Sequence, residues 1–189
     1  MNDRVWMSGT QWALLAAAAV IVFWMVGAYN RLVGLRNSIG KAWQQIDAAL
    51  KHRAAVVPPL MAALRAPLAS EQGALDALEA AQVEAARTAA VLAAKPVAVD
   101  AAAQWVLAET ALAARASRVL ALLDQHVELR DSAAVAALVT AWREADTALV
   151  FARHVFDASA GTYNQAAQQW PTRWLVRVYG FSPAGRIAG

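Results

Sequence analysis

An uninterrupted apolar stretch constrains the fold of this chain more than any other feature of its sequence. It runs from Trp12 to Tyr29 without a charged residue and passes directly into the polar segment that begins at Asn30. About 18 residues at ~1.5 Å each give a helix of about 27 Å, close to the ~30 Å hydrocarbon core of a bilayer. The sequence therefore predicts one transmembrane helix that continues into a polar helical domain.

The apolar stretch divides the chain into four predicted parts. These are a short N-terminal flank at residues 1–11, a transmembrane helix at 12–29, a helical domain at 30–170 and a juxtamembrane tail at 171–189. A chain of 189 residues has room for one soluble domain of ordinary size after the anchor.

A cleaved secretory signal is the alternative interpretation of the same stretch. Val26-Gly27-Ala28 is an acceptable cleavage site, and cleavage there would export the domain. The flank, however, contains Asp3 beside Arg4 and lacks a basic cluster. Three aromatic residues lie toward the ends of the stretch, as interfacial aromatics do: Trp12, Trp24 and Tyr29. We therefore favour a retained anchor.

The basic residues that flank the stretch predict its orientation. Arg4 precedes it, whereas Arg31, Arg36 and Lys41 follow it closely. By the positive-inside rule, the domain lies in the cytoplasm, on a bacterial inner membrane.

The composition favours an all-α domain. Alanine dominates the apolar residues, only 9 Gly and 6 Pro interrupt them, and no alternating Val/Ile/Thr segment is present. The absence of cysteine excludes disulfides, thiolate metal sites and cysteine nucleophiles. Because the net charge of +3 comes from basic residues interleaved with acidic ones, we expect anionic lipid headgroups as partners, and no nucleic acid.

Four long helices are expected in the domain, and the first of them continues directly from the anchor. The first has an apolar seam from Leu32 to Leu64, should kink at Pro58-Pro59 and should end near Pro67. The others are expected over residues 70–94, with Glu71 as a capping residue, over 100–129, and from Asp131-Ser132 to 169. Short connections make successive helices antiparallel, so we predict an up-and-down four-helix bundle.

In such a bundle the first and fourth helices run in opposite directions, so the numbers of facing residues have a constant sum. Three pairs of polar residues have sums near 200: Asp47 with Arg153, Arg53 with Asp146, and Arg36 with Asn164. We predict that these pairs face one another.

Several motifs of this first helix and of the chain's end match a known pattern. In the first helix they are Tyr29-Asn30-Arg31-Leu32-Val33-Gly34-Leu35-Arg36-Asn37, Ala42-Trp43-Gln44-Gln45-Ile46-Asp47, Leu50-Lys51-His52-Arg53 and Val57-Pro58-Pro59-Leu60. Later ones are Ala86-Arg87, Ala152-Arg153, Tyr163-Asn164, Trp170-Pro171 and Gly180-Phe181. Together they resemble the LemA family.

The resemblance implies one N-terminal membrane helix and an antiparallel helical bundle. It implies no reaction, because the family has no agreed biochemical activity, although some members occur alongside membrane proteases. Two departures affect local polar contacts: Phe156-Asp157 replaces a Tyr-Asn pair, and Pro59 replaces an asparagine.

The polar and aromatic residues of these motifs form a predicted polar seam. Its members are Tyr29, Asn30, Arg36, Asn37, Trp43, Asp47, Arg53, Asp146, Arg153, Tyr163 and Asn164. In one interpretation they satisfy one another and set the register of the bundle. In the other they form a pocket or docking face for a small ligand or a partner helix.

No pattern of catalytic or metal-binding residues is present. The three histidines, His52, His126 and His154, have no histidine partner four residues away, and no Glu-x-x-His, phosphate loop or nucleophile elbow occurs. We therefore predict no enzyme activity, no metal and no cofactor.

The tail combines aromatic and basic residues: Trp170, Arg173, Trp174, Arg177, Tyr179 and Phe181. It either lies in the membrane interface or folds back over the base of the bundle. We expect a membrane-anchored scaffold with an unidentified protein partner. The alternatives are a ligand-binding or regulatory accessory of a membrane enzyme such as a protease, and a secreted bundle.

Overall fold

The computed structural model describes residues 9–187. This part of the chain is helical and contains no strand, as the composition predicts. In chain order its elements are α1 (Gly9–Arg65), a 3-10 turn (Ala69–Glu71), α2 (Gln72–Ala94), α3 (Val99–Gln125), α4 (Val127–Arg130), α5 (Ala133–Gln168) and α6 (Thr172–Tyr179). Most of the predicted flank, residues 1–8 with Arg4, lies outside the described residues.

Helix α1 contains both the apolar stretch and the first helix of the polar domain. It is the one helix in the described part of the chain that is long and apolar enough to cross a membrane, and no residue of its most apolar window is buried. A transmembrane helix and a secretory signal both fit this description. Because α1 runs unbroken for 57 residues, the apolar segment and the packed segment form one rod.

Pro58 and Pro59 do not interrupt α1. The helix continues through both and ends at Arg65, close to the predicted end at Pro67. Both prolines are exposed, whereas Val57 and Leu60 on either side are buried. Packing of these flanking side chains holds the helix together where the prolines remove hydrogen-bond donors.

One predicted cap and the continuity of one predicted helix are wrong, whereas the predicted start of the fourth helix is confirmed. Glu71 makes no side-chain cap for α2; instead Gln72 Nε2 donates to the carbonyls of Arg65 and Leu68, at 2.7 and 3.1 Å. The predicted helix over 100–129 is divided, because the backbone of His126 is extended between α3 and α4. Ser132 caps α5 as expected, with its hydroxyl oxygen accepting from the Val135 N–H at 3.5 Å.

The helices associate mainly as two pairs, α1 with α5 and α2 with α3. Trp43 on α1 lies against Phe156 on α5, with ring centroids 6.2 Å apart. Ten residues further along α1, Arg53 contacts Asp146, ten residues earlier in α5. At these two contacts the paired numbers sum to 199, so the predicted register holds there.

The segment after α6 folds back along α5. Gly180 adopts φ 67° at the end of α6, where the lack of a Cβ makes a left-handed turn possible. The chain then passes Tyr163 and reaches Asp157, whose carboxylate accepts the Ile187 N–H at 2.7 Å. Ala184 and Ile187 are buried in the hydrophobic core. For residues 182–187, therefore, the fold-back interpretation of the tail is confirmed.

In this segment, Gly185 lies close against the start of α3. A Cβ at this position would lie 2.7 Å from Ala102 Cβ and 3.0 Å from the Val99 Cα. Gly185→Ala should therefore lower the free energy of unfolding by about 1–3 kcal/mol, the usual cost of overpacking. Urea denaturation followed by circular dichroism measures the loss.

Gly161→Ala is the matched control, because nothing lies within 4 Å of a Cβ built there, inside α5. It should raise stability by up to about 1 kcal/mol, since alanine favours a helix over glycine. Equal stability of the two variants would contradict the close contact at Gly185.

Candidate functional site

A buried carboxylate joins three helices at the centre of the molecule. Glu109 on α3 accepts from Arg53 on α1 through both oxygens, at 2.6 and 2.9 Å, and from Arg153 on α5 at 2.7 Å. The side chains of Arg53 and Glu109 are each only 4 % exposed. Arg53 also reaches Asp146 on α5, at 3.3 Å. We call Arg53, Glu109, Asp146 and Arg153 the ionic cluster.

The two arginines of the ionic cluster are compensated unequally. Burial opposes the charge of Arg53, but its bonds to Glu109 and Asp146 outweigh burial and raise its pKa. For Arg153, burial prevails and lowers the pKa, with the charge of Arg53 acting in the same direction against the attraction of Glu109. Arginine keeps its charge in proteins, so the cluster depends on Glu109 to balance both cations.

Two tryptophans enclose the ionic cluster. The guanidinium of Arg153 lies 4.7 Å from the centre of the Trp105 ring, and that of Arg53 lies 5.9 Å from the centre of Trp142. Trp142 also donates its indole N–H to Asp146 at 2.8 Å. Beside the cluster is a cavity of about 320 Å³. The charges are thus held by aromatic faces and by one another.

Two of the three predicted pairs are wrong. Asp47 pairs with Lys51, four residues along the same helix, at 2.6 Å, and Arg153 pairs with Glu109. Asn164 donates to and accepts from the backbone of Ala184, at 2.9 and 2.8 Å, and so faces the returning C-terminal segment instead of Arg36. In both cases the residue has a partner that a comparison of facing positions on the first and fourth helices does not include.

The other residues of the predicted polar seam are dispersed. Trp43 is buried and lies edge-on to Trp105, with centroids 5.7 Å apart. Tyr163 is buried, burial raises its pKa, and its hydroxyl donates to the Ser182 carbonyl at 2.9 Å. Asn30 is exposed on α1. The seam is therefore not one site.

Arg36 and Asn37 belong to an open groove at the surface. They line it together with Lys41 of α1 and with Lys95 and Asp100 from the connection between α2 and α3 and the start of α3. The groove has a volume of about 950 Å³ and carries a surplus of positive charge. This groove is larger than the cavity of about 320 Å³ beside the ionic cluster.

An aromatic contact joins the end of the apolar stretch to the tail. The Tyr29 ring lies 5.1 Å from that of Tyr179 and 5.9 Å from that of Phe181, centroid to centroid. We call these three residues the aromatic collar. They place α6 beside the point where the apolar stretch of α1 ends.

The remaining residues predicted to be interfacial lie on or beside α6. Trp170 and Trp174 are 74 % and 61 % exposed, and Arg173 and Arg177 are exposed as well. Leu175, by contrast, is buried. Helix α6 thus rests on the domain through one side and exposes one tryptophan and two arginines, and Trp170 is exposed just before it.

Sequence reasoning missed Glu109 and Asp157. Both occupy apolar seams: Glu109 lies between the buried residues Trp105 and Leu112, and Asp157 follows the buried Phe156. Burial of an unpaired carboxylate costs free energy, so an acidic residue at a core position indicates a buried partner. That pattern could have identified both residues from the sequence. Within residues 9–187, no group of three or more His, Cys, Asp or Glu side chains could hold a metal ion.

Removal of the Glu109 charge should destabilise the protein strongly. Glu109→Gln leaves the Arg53 and Arg153 cations without their shared carboxylate, and breaking a buried ion pair costs about 3–5 kcal/mol. The free energy of unfolding, measured by urea denaturation, should fall by that amount.

Glu84→Gln provides the control. Glu84 pairs with Arg87 at 2.7 Å, but both side chains are more than half exposed, so the loss should stay within about 0.5 kcal/mol. Similar losses for the two variants would show that Glu109 is not the centre of the ionic cluster.

The sequence of the chain matches the model of a known protein family. No curated protein matches the chain. The LemA family matches residues 42–187, which include every residue of the ionic cluster and most of the C-terminal segment that folds back. Because this match covers most of the chain, the protein belongs to the LemA family.

Proposed function

We propose that this protein is a single-pass membrane scaffold. In this proposal, residues 12–29 cross the inner membrane and residues 30–170 form an antiparallel up-and-down four-helix bundle in the cytoplasm. The bundle binds a protein partner and catalyses no reaction. The observation that carries the proposal is that no residue is buried in the most apolar window of α1, although the same helix continues into a segment that packs against α5.

The exposed apolar side chains support an anchor. Val20 is 68 % exposed and Phe23 is 77 % exposed, and no residue of the most apolar window of α1 is buried. A water-soluble domain rarely exposes so large a contiguous apolar surface. A bilayer removes that surface from water.

The contacts among the four long helices support the bundle topology. The contact of Trp43 with Phe156 and that of Arg53 with Asp146 have numbers that change in opposite directions along α1 and α5. Glu109 joins α3 to both of these helices. An up-and-down arrangement accounts for all of these contacts with short connections.

The state of the buried charges favours a structural role over catalysis. An acid or base that transfers protons needs a pKa near the working pH and access to a substrate. Arg53 and Glu109 are instead buried and bonded to each other. The ionic cluster therefore fits a device that joins helices, and the exposed surfaces are left for binding.

The anchor is tested with a charge in the middle of the apolar stretch. Val20→Arg should move the protein from the membrane pellet to the supernatant after alkaline extraction, because an arginine at the bilayer centre costs about 2.5–3.5 kcal/mol of insertion. The distribution is measured by immunoblotting of the two fractions.

Val83→Arg is the matched control, since Val83 on α2 is 69 % exposed and Val20 is 68 % exposed. It should leave the protein in the pellet. The intact mass of the extracted wild type should correspond to the uncleaved chain. A mass that corresponds to a chain beginning at Tyr29 would instead identify a secretory signal and overturn the anchor.

The orientation is tested with the same position on α2. The chain has no cysteine, so Val83→Cys introduces a single thiol. In intact spheroplasts a membrane-impermeant maleimide should not label this thiol. Once the membrane is opened, the maleimide should label it. Labelling before opening would place the domain outside the cytoplasm.

Binding of a protein partner is tested by site-specific photocrosslinking in membranes. A photoreactive amino acid at Lys41, in the basic groove, should give one discrete adduct, whereas the same group at the exposed Val127 on α4 should not. Absence of adducts from positions around the groove would remove it as the partner surface. Turnover of a substrate by the purified protein would overturn the scaffold.

A ligand-binding accessory of a membrane enzyme is the second candidate. The basic groove of about 950 Å³ favours it, because Arg36, Lys41 and Lys95 could together hold an anionic small molecule. Native mass spectrometry of the extracted protein should then detect a bound anion that Lys41→Gln releases. A protein adduct without any such anion would favour the scaffold.

A further inference from the structure

We propose that helix α6 is a second membrane contact, which lies in the headgroup region of the bilayer that α1 crosses and carries anionic lipid on its basic edge. The inference rests on the proposed anchor and adds a surface, a depth and a lipid class to it. Three observations carry it: the position of α6, the distribution of its side chains and the exposure of its apolar residues.

The position of α6 is set by its contact with α1. The Tyr179 ring contacts that of Tyr29 in a tilted arrangement, with centroids 5.1 Å apart. Together with Val22, Met25 and Val26, the two tyrosines line a crevice of about 220 Å³. Tyr29 ends the apolar stretch, so the C-terminal end of α6 lies against its last two turns. An element at this depth meets the headgroups and the upper part of the acyl chains.

The side chains of α6 form three adjacent strips. Leu175 is buried, and Val176 packs against the hydrophobic core. Trp174 and Val178, four residues apart, share the next strip and are 61 % and 74 % exposed. The apolar arc of the helix is therefore about twice as wide as the domain covers. The uncovered half of this apolar arc is exposed to water unless a membrane covers it.

The third strip consists of Arg173 and Arg177, also four residues apart and both exposed. Neither arginine has an ion pair within residues 9–187. An exposed apolar strip with arginines along one edge is the pattern of a helix that lies in a membrane interface. The arginines then meet lipid phosphates while Trp174 and Val178 enter the acyl region.

The absence of cysteine in the sequence allows a direct test in the full chain. Single cysteines replace Val178 on α6, Val20 in the anchor and Val83 on α2, each of which is more than two-thirds exposed. Each variant carries a nitroxide spin label and is reconstituted in vesicles of phosphatidylcholine and phosphatidylglycerol. The collision rates of the label with oxygen and with a water-soluble nickel chelate are then measured.

If α6 lies in the interface, the label at 178 loses most of its accessibility to the nickel chelate and gains accessibility to oxygen, as the label at 20 does. The label at 83 stays accessible to nickel. A label at 178 that behaves like the one at 83, with 20 shielded, overturns the α6 contact and leaves the anchor intact. A label at 20 that stays accessible to nickel overturns the anchor itself.

Two further comparisons identify what covers α6. Shielding at 178 that disappears when the protein is diluted in lipid would indicate a second copy and overturn the assignment to lipid. The double change Arg173→Gln and Arg177→Gln should abolish the gain in shielding on adding phosphatidylglycerol. The same change at Arg115 and Arg118, exposed on α3, should not; equal effects of the two changes would overturn the basic edge.

Discussion

The fold depends on one shared carboxylate. Glu109 stands between two arginines that come from α1 and α5, and it is the only acidic side chain within residues 9–187 that bonds to both. A buried ion pair adds little net stability, because desolvation offsets the attraction. Its effect is on specificity instead: with α1 shifted along its axis, Arg53 would be buried without a partner. Glu109 therefore determines how the pair α1–α5 meets α3, and the aromatic faces of Trp105 and Trp142 complete the enclosure.

The contact of Arg53 with Asp146 and that of Trp43 with Phe156 share the sum 199. Further toward the apolar stretch on α1, the ring of Tyr29 contacts those of Tyr179 and Phe181. The helix that carries Arg53 is therefore also the helix against which the end of α6 lies. One continuous helix thus connects the ionic cluster with the exposed surface of α6.

The sequence predicted what depends on local patterns and missed what depends on a third partner. Apolar periodicity and the Ser132 cap located the long helices to within a few residues, and the register of α1 on α5 followed from constant rise. Glu109 lies on α3, which a comparison of the first and fourth helices left out, so Arg153 was assigned to Asp47. The returning segment has no period at all: Asn164 and Asp157 bind its backbone, and backbone atoms leave no signature in a sequence.

The two ends of the structure therefore differ in kind. In the ionic cluster, Arg53 and Arg153 share the carboxylate of Glu109, while the buried Nε–H groups of both arginines have no hydrogen-bond partner among the described residues. The surface beside the end of the apolar stretch, by contrast, is exposed to solvent: Arg173 and Arg177 are exposed, and Trp174 and Val178 are 61 % and 74 % exposed. In the scaffold that we propose, the exposed side chains of α6 beside the anchor would set the depth and tilt at which the domain presents its surface to a partner.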